Sequence, residues 1–171
     1  WWDLSFSRAG PTRLDDATDQ LHERGLASLR AARADGNEVD LALTGGHDSR
    51  LILGMLREAG RPPERTFTWF SRPDVPGSDP EIAAALATLA GVPHRTLRYG
   101  PESFADHLSP WLDFAGLRSD NLGHICAGPT FLRDHGLVPR PVLLGDHVLG
   151  LGGEFADRDA AIGSALRVPW P

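Results

Sequence analysis

Lysine is absent from this chain, so all 17 of its basic residues are arginines. Many phosphate-handling enzymes place a lysine on the phosphates as a compact point charge, and this segment cannot supply one. Acidic residues are in excess and give a formal net charge of -6. This balance argues against a nucleic-acid partner, which usually needs a basic face. No apolar run is long enough to cross a membrane, so we expect no membrane contact.

Cysteine is also scarce. Cys126 is the one cysteine of the sequence, which excludes an internal disulfide. This scarcity fits a reducing compartment, and we expect a cytoplasmic protein. Cys126 could be a nucleophile or a buried thiol without a chemical role, and burial is common for free cysteines. No Cys/His spacing supports a zinc site.

Both ends of the chain look cut. The sequence begins with Trp1-Trp2-Asp3 rather than with methionine, and it stops at Pro169-Trp170-Pro171. The start also lacks the charged and then apolar pattern of a signal peptide. We therefore expect these 171 residues to be an excised part of a longer protein.

Helical and extended patterns alternate along the chain. Apolar spacing predicts helices between Pro11 and Gly36, over 48–59, 81–90 and 101–111, a weaker one over 121–133, and a short one past Asp157. Apolar or β-branched runs predict strands at 39–43, 66–70, 95–99 and 142–144. This order predicts an α/β fold, in which a parallel sheet carries helices on both faces. Ligands of such sheets bind beyond the carboxyl ends of the strands.

The turn Thr44-Gly45-Gly46-His47-Asp48-Ser49 follows the first predicted strand and opens a predicted helix. Its paired glycines leave room for a ligand, and successive N–H groups in such a turn can form a nest for an anion. The N-terminus of the following helix adds donors and partial positive charge. With hydroxyl donors from Thr44 and Ser49, the turn suits a phosphate or pyrophosphate.

Asp48 would repel a bare phosphate, so its place in this turn suggests an intervening Mg²⁺ ion, which carboxylates commonly hold together with phosphate oxygens. Arg50 could add positive charge or could face solvent. A simpler interpretation stays open, in which the glycines serve only the geometry of the turn and Asp48 caps the helix. The hydroxyls, the carboxylate and the strand-to-helix context favour the phosphate site. The Walker and Rossmann glycine patterns are both missing.

The same residues carry a family resemblance. Residues 43–49 resemble the S-G-G-x-D-S pyrophosphate loop of the N-type ATP pyrophosphatases, also called PP-loop proteins. With the helix start at 50–53, they look most like the synthetase domain of asparagine synthetase and its relatives, which include β-lactam synthetases and lasso-peptide cyclases. Further segments look like later motifs of that family, in the family's order: 66–70, 77–84, 91–94 and 143–150.

The resemblance implies a Rossmann-like three-layer fold of the adenine nucleotide alpha hydrolase type. It also implies a division of the chain. Residues 1–35 would be an N-terminal helical lead-in, residues 36–155 a PP-loop ATP-binding synthetase domain, and residues 156–171 a truncated C-terminal segment.

By this resemblance, ATP would lie across the strand ends, with adenine at the backbone of Leu43 and near Trp69. Leu144 and Gly145 would lie beside the nucleotide. The catalytic magnesium ligands would be Asp48 and Asp146. Five residues would hold the phosphates: Thr44, Gly45, Gly46, Asp48 and Ser49. The family activates a carboxylate as an acyl-adenylate with release of pyrophosphate, and an amine then attacks.

The sequence departs from the family pattern in places that bear on catalysis. His147 stands where the family has a glutamate after Asp146, and a gap-free match would put Leu149 where an acid belongs. The family's catalytic lysine lies C-terminal to these motifs, and its glutaminase domain precedes them. We therefore expect glutaminase and C-terminal helical parts in the parent chain. The alternative is a domain that has drifted to nucleotide binding alone.

Three functional hypotheses stay open. The first is an AMP-forming carbon–nitrogen ligase of asparagine synthetase type, which uses ATP, Mg²⁺ and a carboxylate such as aspartate. The second is a relative that closes a ring through a peptide carboxylate, suggested by the loop variant at 44–50 and the altered segment at 146–150. The third is a non-catalytic nucleotide-binding module.

Overall fold

The computed structural model describes residues 13–33, 36–70, 76–115 and 122–145. In chain order, the described elements are α1 (Leu14–Ala32), β1 (Asp40–Ala42), α2 (His47–Glu58), β2 (Arg65–Phe70), α3 (Asp79–Ala90), β3 (His94–Arg98), α4 (Pro101–Ala115), a 3₁₀ helix (Leu122–Ala127), α5 (Pro129–Asp134) and β4 (Val142–Leu144). The predicted strands and the helices before residue 115 are confirmed to within a few residues. Two short helices replace the single weak helix predicted over 121–133, and the helix predicted past Asp157 lies outside the described residues.

The four described strands form one parallel sheet in the order β3-β2-β1-β4. In β1, Leu41 lies opposite Thr66 of β2 on one side and opposite Leu143 of β4 on the other. The chain runs from β1 outward to β2 and β3, and it then returns to add β4 on the far side of β1. The strand order therefore reverses between β1 and β4. A reversal of this kind opens a crevice at the carboxyl ends of the two strands, where open α/β sheets bind ligands.

Two apolar clusters cover the two faces of the sheet, because successive strand residues point to opposite sides. On one face, Leu41 packs with Leu53 of α2 and Ala87 of α3. On the other face, Phe67 packs with Phe131 of α5. Each large side chain buried in this way contributes about 1.5–3 kcal/mol. The predicted parallel sheet with helices on both faces is confirmed.

α1 packs against α2. A Cβ added at Gly25 would lie 2.9 Å from the side chain of Met55. His22 forms a hydrogen bond to Glu58 with a distance of 2.9 Å between Nε2 and Oε2. These contacts let α1 support the helix whose N-terminus borders the candidate site. Among the described helices, none is both long and apolar enough to span a membrane.

A buried ion pair joins the amino ends of β1 and β2, at the edge of the sheet opposite the strands' carboxyl ends. Asp40 is fully buried, and Arg65 donates to its Oδ2 from Nε at 3.0 Å and from Nη2 at 2.6 Å. Burial raises the pKa of the Asp40 carboxyl, and the hydrogen bond and charge of Arg65 oppose that rise. The pair thereby fixes the alignment of the two strands where they begin.

Candidate functional site

Three strands bring the described candidate residues to one edge of the sheet. The loop of residues 44–49 follows β1 and continues into the first turn of α2, Trp69 lies near the end of β2, and Leu144 ends β4. Because β1 lies between β2 and β4, the 44–49 loop occupies the middle of this edge. The structure thus places these residues side by side at the strand-order reversal.

Part of the predicted site falls outside the described residues. This applies to Asp146, the second expected magnesium ligand, and to the rest of the 146–150 segment with His147. The described candidate site therefore consists of the 44–49 loop, the first turn of α2, the end of β4 at Gly145 and the start of α3.

Hydroxyl groups hold the 44–49 loop in shape. Ser49 is buried, and its Oγ accepts the N–H of Thr44 at 3.1 Å and lies 3.1 Å from Thr44 Oγ1. Thr44 Oγ1 in turn accepts the N–H of Gly46 at 3.1 Å. The two hydroxyls that were expected to face phosphate therefore also tie the start of the loop to the first turn of α2.

The N–H groups of the paired glycines have partners inside the protein. Gly46 donates to Thr44, and Gly45 donates to Oδ1 of Asp79 at 2.8 Å. This arrangement differs from the expected nest of successive loop donors. An anion at this edge would instead meet the first turn of α2, whose N–H groups have no acceptor within the helix. The N-cap residue of α2 is Gly46, which has no side chain to cap them.

β4 ends directly against the first turn of α2. A Cβ added at Gly145 would lie 2.8 Å from the Ser49 Cα and 2.9 Å from the carbonyl carbon of Asp48. Both atoms belong to the backbone, so a side-chain rotation could not relieve the contact. Glycine is therefore required at this position, and the end of β4 forms one wall of the crevice beside the 44–49 loop.

Asp48 is exposed in the first turn of α2. Within the described ranges, no group of three or more acidic, histidine or cysteine side chains could hold a metal ion. A single carboxylate beside an anion site is nevertheless a sufficient protein donor for Mg²⁺, because phosphate oxygens and water supply its other ligands. The residues present therefore fit a magnesium ion that a nucleotide would bring, and Asp48 would be its protein ligand.

Arg50 lies over the loop. Its Nε donates to the carbonyl oxygen of Gly46 at 3.1 Å. This contact places the side chain beside the first turn of α2, where it also remains partly exposed to solvent. A positive charge therefore lies near the N-terminus of α2.

Leu43 and Trp69, where adenine was expected to bind, are packed into the sheet. Leu43 is fully buried, and its N–H donates to the carbonyl oxygen of Phe67 at 2.9 Å. Its own carbonyl oxygen accepts the hydroxyl of Thr68. A base at this edge would have to use the remaining lone pair of that oxygen. Trp69 packs against Phe67 with their ring centroids 6.1 Å apart.

Comparison with known protein families decides where this chain belongs. Residues 27–121, more than half of the chain, match the family described as asparagine synthase. The chain belongs to the asparagine synthase family. The match begins within α1 and includes the 44–49 loop, β2, α3 and β3. The resemblance inferred from the loop and the later motifs is confirmed.

Solved structures similar to this family member include two synthetases of NAD. An NH3-dependent NAD synthetase from Campylobacter jejuni has 19% identity and a TM-score of 0.46, over 78% of this chain and 60% of that one. The chain thus spans about 60% of the length of that synthetase. An NAD+ synthetase from Burkholderia pseudomallei has 19% identity and a TM-score of 0.38, over 90% of this chain and 76% of that one.

A third similar structure is a protein from Methanocaldococcus jannaschii, described as a predicted subunit of tRNA methyltransferase. It has 16% identity and a TM-score of 0.40, over 70% of this chain and 58% of that one. No curated protein matches the chain.

A cavity of about 400 Å³ lies beside β4 in this member of the family. Its described lining is mostly apolar and includes Trp111, Leu132 and Leu144. Arg140 is the charged residue of that lining, and its Nε donates to Glu38 at 2.8 Å. Its lining also includes Pro139, Pro141 and Val142 at or before the start of β4, so the cavity runs along β4 from its amino end to Leu144 at its carboxyl end.

Cys126 is buried and His94 is half-buried. Burial raises the pKa of the Cys126 thiol to about 12, whereas nucleophilic attack needs a thiolate. Burial lowers the pKa of His94. Its Nδ1 lies 2.8 Å from Thr66 Oγ1, and its Nε2 is buried without a partner in the described structure. These groups therefore support packing.

Asp79 contacts the 44–49 loop, but the sequence pattern did not indicate it as a site residue. Its hydrogen bond to Gly45 joins residues 34 positions apart, so no local spacing signals it. The only trace in the sequence is its place in the 77–84 segment, which resembles a helix start of the family.

Proposed function

We propose that this chain is the nucleotide-binding part of an ATP-dependent, AMP-forming amide ligase of asparagine synthetase type. One observation carries the proposal. The 44–49 loop of an asparagine synthase family member joins β1 to the N-terminus of α2 at the reversal of strand order. Open α/β sheets bind ligands at such a crevice, and helix N-termini attract phosphate groups.

In this proposal the triphosphate lies over the first turn of α2, where backbone N–H groups donate to its oxygens. The carboxylate of Asp48 holds a magnesium ion that the nucleotide brings, and this ion neutralises phosphate charge. Arg50, held at the loop by Gly46, adds a second positive charge. The chain has no lysine, so arginines are the strong cations that it offers to the phosphates.

The proposed reaction has two steps. An oxygen of the substrate carboxylate attacks the α-phosphorus of ATP, the bond from that phosphorus to the bridging oxygen breaks, and pyrophosphate leaves with the electron pair. An amine then attacks the acyl carbon of the adenylate, loses a proton and displaces AMP. The contribution of this chain is to hold the pyrophosphate in line and to stabilise the charge that develops on it.

The cavity beside β4 favours a second candidate substrate class. Free aspartate carries two carboxylates, whereas the described lining is mostly apolar and its Arg140 is already paired with Glu38. An apolar peptide carboxylate therefore suits this space better than aspartate does. A macrocyclising ligase is the corresponding alternative to an asparagine-forming one.

Product analysis of the parent protein tests the proposal. The protein is incubated with Mg-ATP and either aspartate or a series of apolar peptide carboxylates, and the nucleotide products are separated. We expect AMP and pyrophosphate in equal amounts, with the peptide series preferred if the cavity holds the substrate. Formation of ADP and inorganic phosphate would overturn the proposal.

Asp48→Ala in the same assay tests the magnesium role. We expect pyrophosphate release to fall at least about a hundredfold, on the scale of a lost charge-stabilising group. Asp19→Ala, at an exposed acid of α1, is the matched control and should leave the rate unchanged.

A further inference from the structure

Asp79 connects the nucleotide loop to α3. Its Oδ1 accepts the N–H of Gly45 at 2.8 Å. A Cβ added at Gly45 would lie 2.9 Å from the same oxygen and 3.0 Å from Cδ1 of Ile82 in α3. The first turn of α3 thus packs closely on the loop, and a methyl group at Gly45 would push the side chains of Asp79 and Ile82 aside.

The start of α3 does not use this carboxylate for its own cap. Glu81 reaches back and accepts the N–H of Gly77 at 2.7 Å, and Ile82 donates its N–H to the carbonyl oxygen of Ser78 at 3.1 Å. The carboxylate of Asp79 is therefore available to the loop.

The orientation of the Gly45 peptide affects the shape of the whole loop. Glycine has the widest backbone freedom of any residue, so an unheld Gly45 would sample several orientations. The adjacent hydrogen bonds of Thr44 and Gly46 constrain the loop from within. Asp79 is the described side chain that holds Gly45 from another element.

We propose that Asp79 is a positioning residue for the nucleotide site. It keeps the Gly45 N–H turned toward α3, and the loop then presents the N-terminus of α2 to the triphosphate. Asp79 itself does not touch the nucleotide. The inference rests on the proposed function, because the ligand positioned in this way is Mg-ATP.

A competing role for Asp79 makes the opposite prediction. Its carboxylate could instead occupy the place of a phosphate oxygen, and a nucleotide would then have to displace it. Loss of the negative charge would in that case strengthen binding. The two roles are therefore separated by variants that remove the charge alone or remove both the charge and the acceptor.

Calorimetric titration of Mg-ATP into the chain and its variants tests the proposal. Asp79→Asn keeps an oxygen that accepts from Gly45, and we expect its affinity to stay within about twofold of the wild type. Asp79→Ala removes the acceptor, and we expect about tenfold weaker binding, which corresponds to about 1.4 kcal/mol. Asp16→Ala, at an exposed first-turn acid of α1, should bind like the wild type. Tighter binding by both Asp79 variants, or unchanged binding by Asp79→Ala, would overturn the positioning role.

Amide hydrogen exchange at Gly45 gives a measurement that needs no nucleotide. We expect slow exchange in the wild type and Asp79→Asn, and about tenfold faster exchange in Asp79→Ala. Equal exchange rates in the wild type and both variants would contradict the Gly45–Asp79 hydrogen bond, even if the chain binds ATP. A protected Gly45 in a wild-type chain that does not bind Mg-ATP would contradict the proposed function, so the two failures are distinguishable. If Asp79→Ala does not fold, Asp79→Glu moves the carboxylate by one methylene and should show the same losses.

Discussion

A side chain at Gly145 would disturb the site, because the end of β4 meets the backbone of α2 there. A methyl group at this position would lie 2.8 Å from the Cα of Ser49. We expect Gly145→Ala to push β4 and the first turn of α2 apart, which costs about 1–3 kcal/mol of stability as an overpacked contact. Urea denaturation measures that loss, and titration with Mg-ATP should show at least about tenfold weaker binding.

Gly54→Ala is the matched control in the same helix. A Cβ at Gly54 has no neighbour within 4 Å, and alanine is the better helix former. We expect the free energy of unfolding to rise by about 1 kcal/mol, with ATP binding unchanged. Similar losses of binding in Gly145→Ala and Gly54→Ala would show that the approach at Gly145 has no special part in the site.

Cys126 should be unreactive in the folded protein. The side chain is fully buried and its thiol has a pKa of about 12, so almost no thiolate exists at neutral pH and no reagent reaches it. We expect a chromogenic disulfide reagent at pH 8 to modify the thiol only after denaturant has unfolded the chain. Rapid modification of the native protein would contradict this and would reopen the nucleophile interpretation.

At the scale of elements, the junction of β2 and β3 makes stability depend on pH. His94 begins β3, and burial places its folded-state pKa below the ordinary value of 6.5. Between these two pKa values the unfolded chain binds more protons than the folded one. The free energy of unfolding should therefore fall as the pH drops from 6.5 toward the folded-state pKa, by at most about 1.4 kcal/mol per pH unit.

His94→Gln removes this titration. Urea denaturation at pH 8, 7, 6 and 5 should show a smaller loss of stability toward acid in the variant than in the wild type. Parallel curves for the two proteins would mean that His94 is not responsible for the dependence.

The ion pair at the amino ends of β1 and β2 should be costly to break. Asp40→Ala would leave the Arg65 guanidinium without its carboxylate partner. Solvent could replace that partner only in part, since Asp40 is fully buried and the Arg65 side chain is 14% exposed. We expect a loss of about 3 kcal/mol in the free energy of unfolding. Asp15→Ala, which breaks an exposed pair with Arg13 at 3.8 Å, should cost less than about 1 kcal/mol. Equal costs measured by urea denaturation would contradict the burial argument.

Elements with strong local patterns could be predicted from the sequence, and elements shaped by packing could not. The strand of residues 39–43 and the following glycine turn carry their own signals. The break between the 3₁₀ helix and α5 depends instead on Gly128, where a Cβ would lie 3.0 Å from the Ile125 carbonyl oxygen and 3.1 Å from the Trp111 ring. The contact with Trp111 joins residues 17 positions apart, so the apolar spacing along the helix does not indicate it.

At the scale of the whole molecule, the strand order determines which predicted motifs lie next to each other. Its strand order puts the 44–49 loop beside the end of β4, which the alternation of helices and strands does not specify. The residues expected around the nucleotide could be named from the sequence, because the loop motif is compact. The hydrogen-bond partners of the loop could not be named in this way, because the bond from Gly45 to Asp79 depends on how α3 packs against the loop.

The central claim is that the 44–49 loop and the N-terminus of α2 hold the phosphates of Mg-ATP. Titration calorimetry on the folded chain with Mg-ATP, pyrophosphate and adenosine tests it most directly. We expect saturable binding of one Mg-ATP per chain, measurable binding of magnesium pyrophosphate, and far weaker binding of adenosine. Absence of heat with Mg-ATP, or adenosine binding as tight as that of ATP, would contradict the claim.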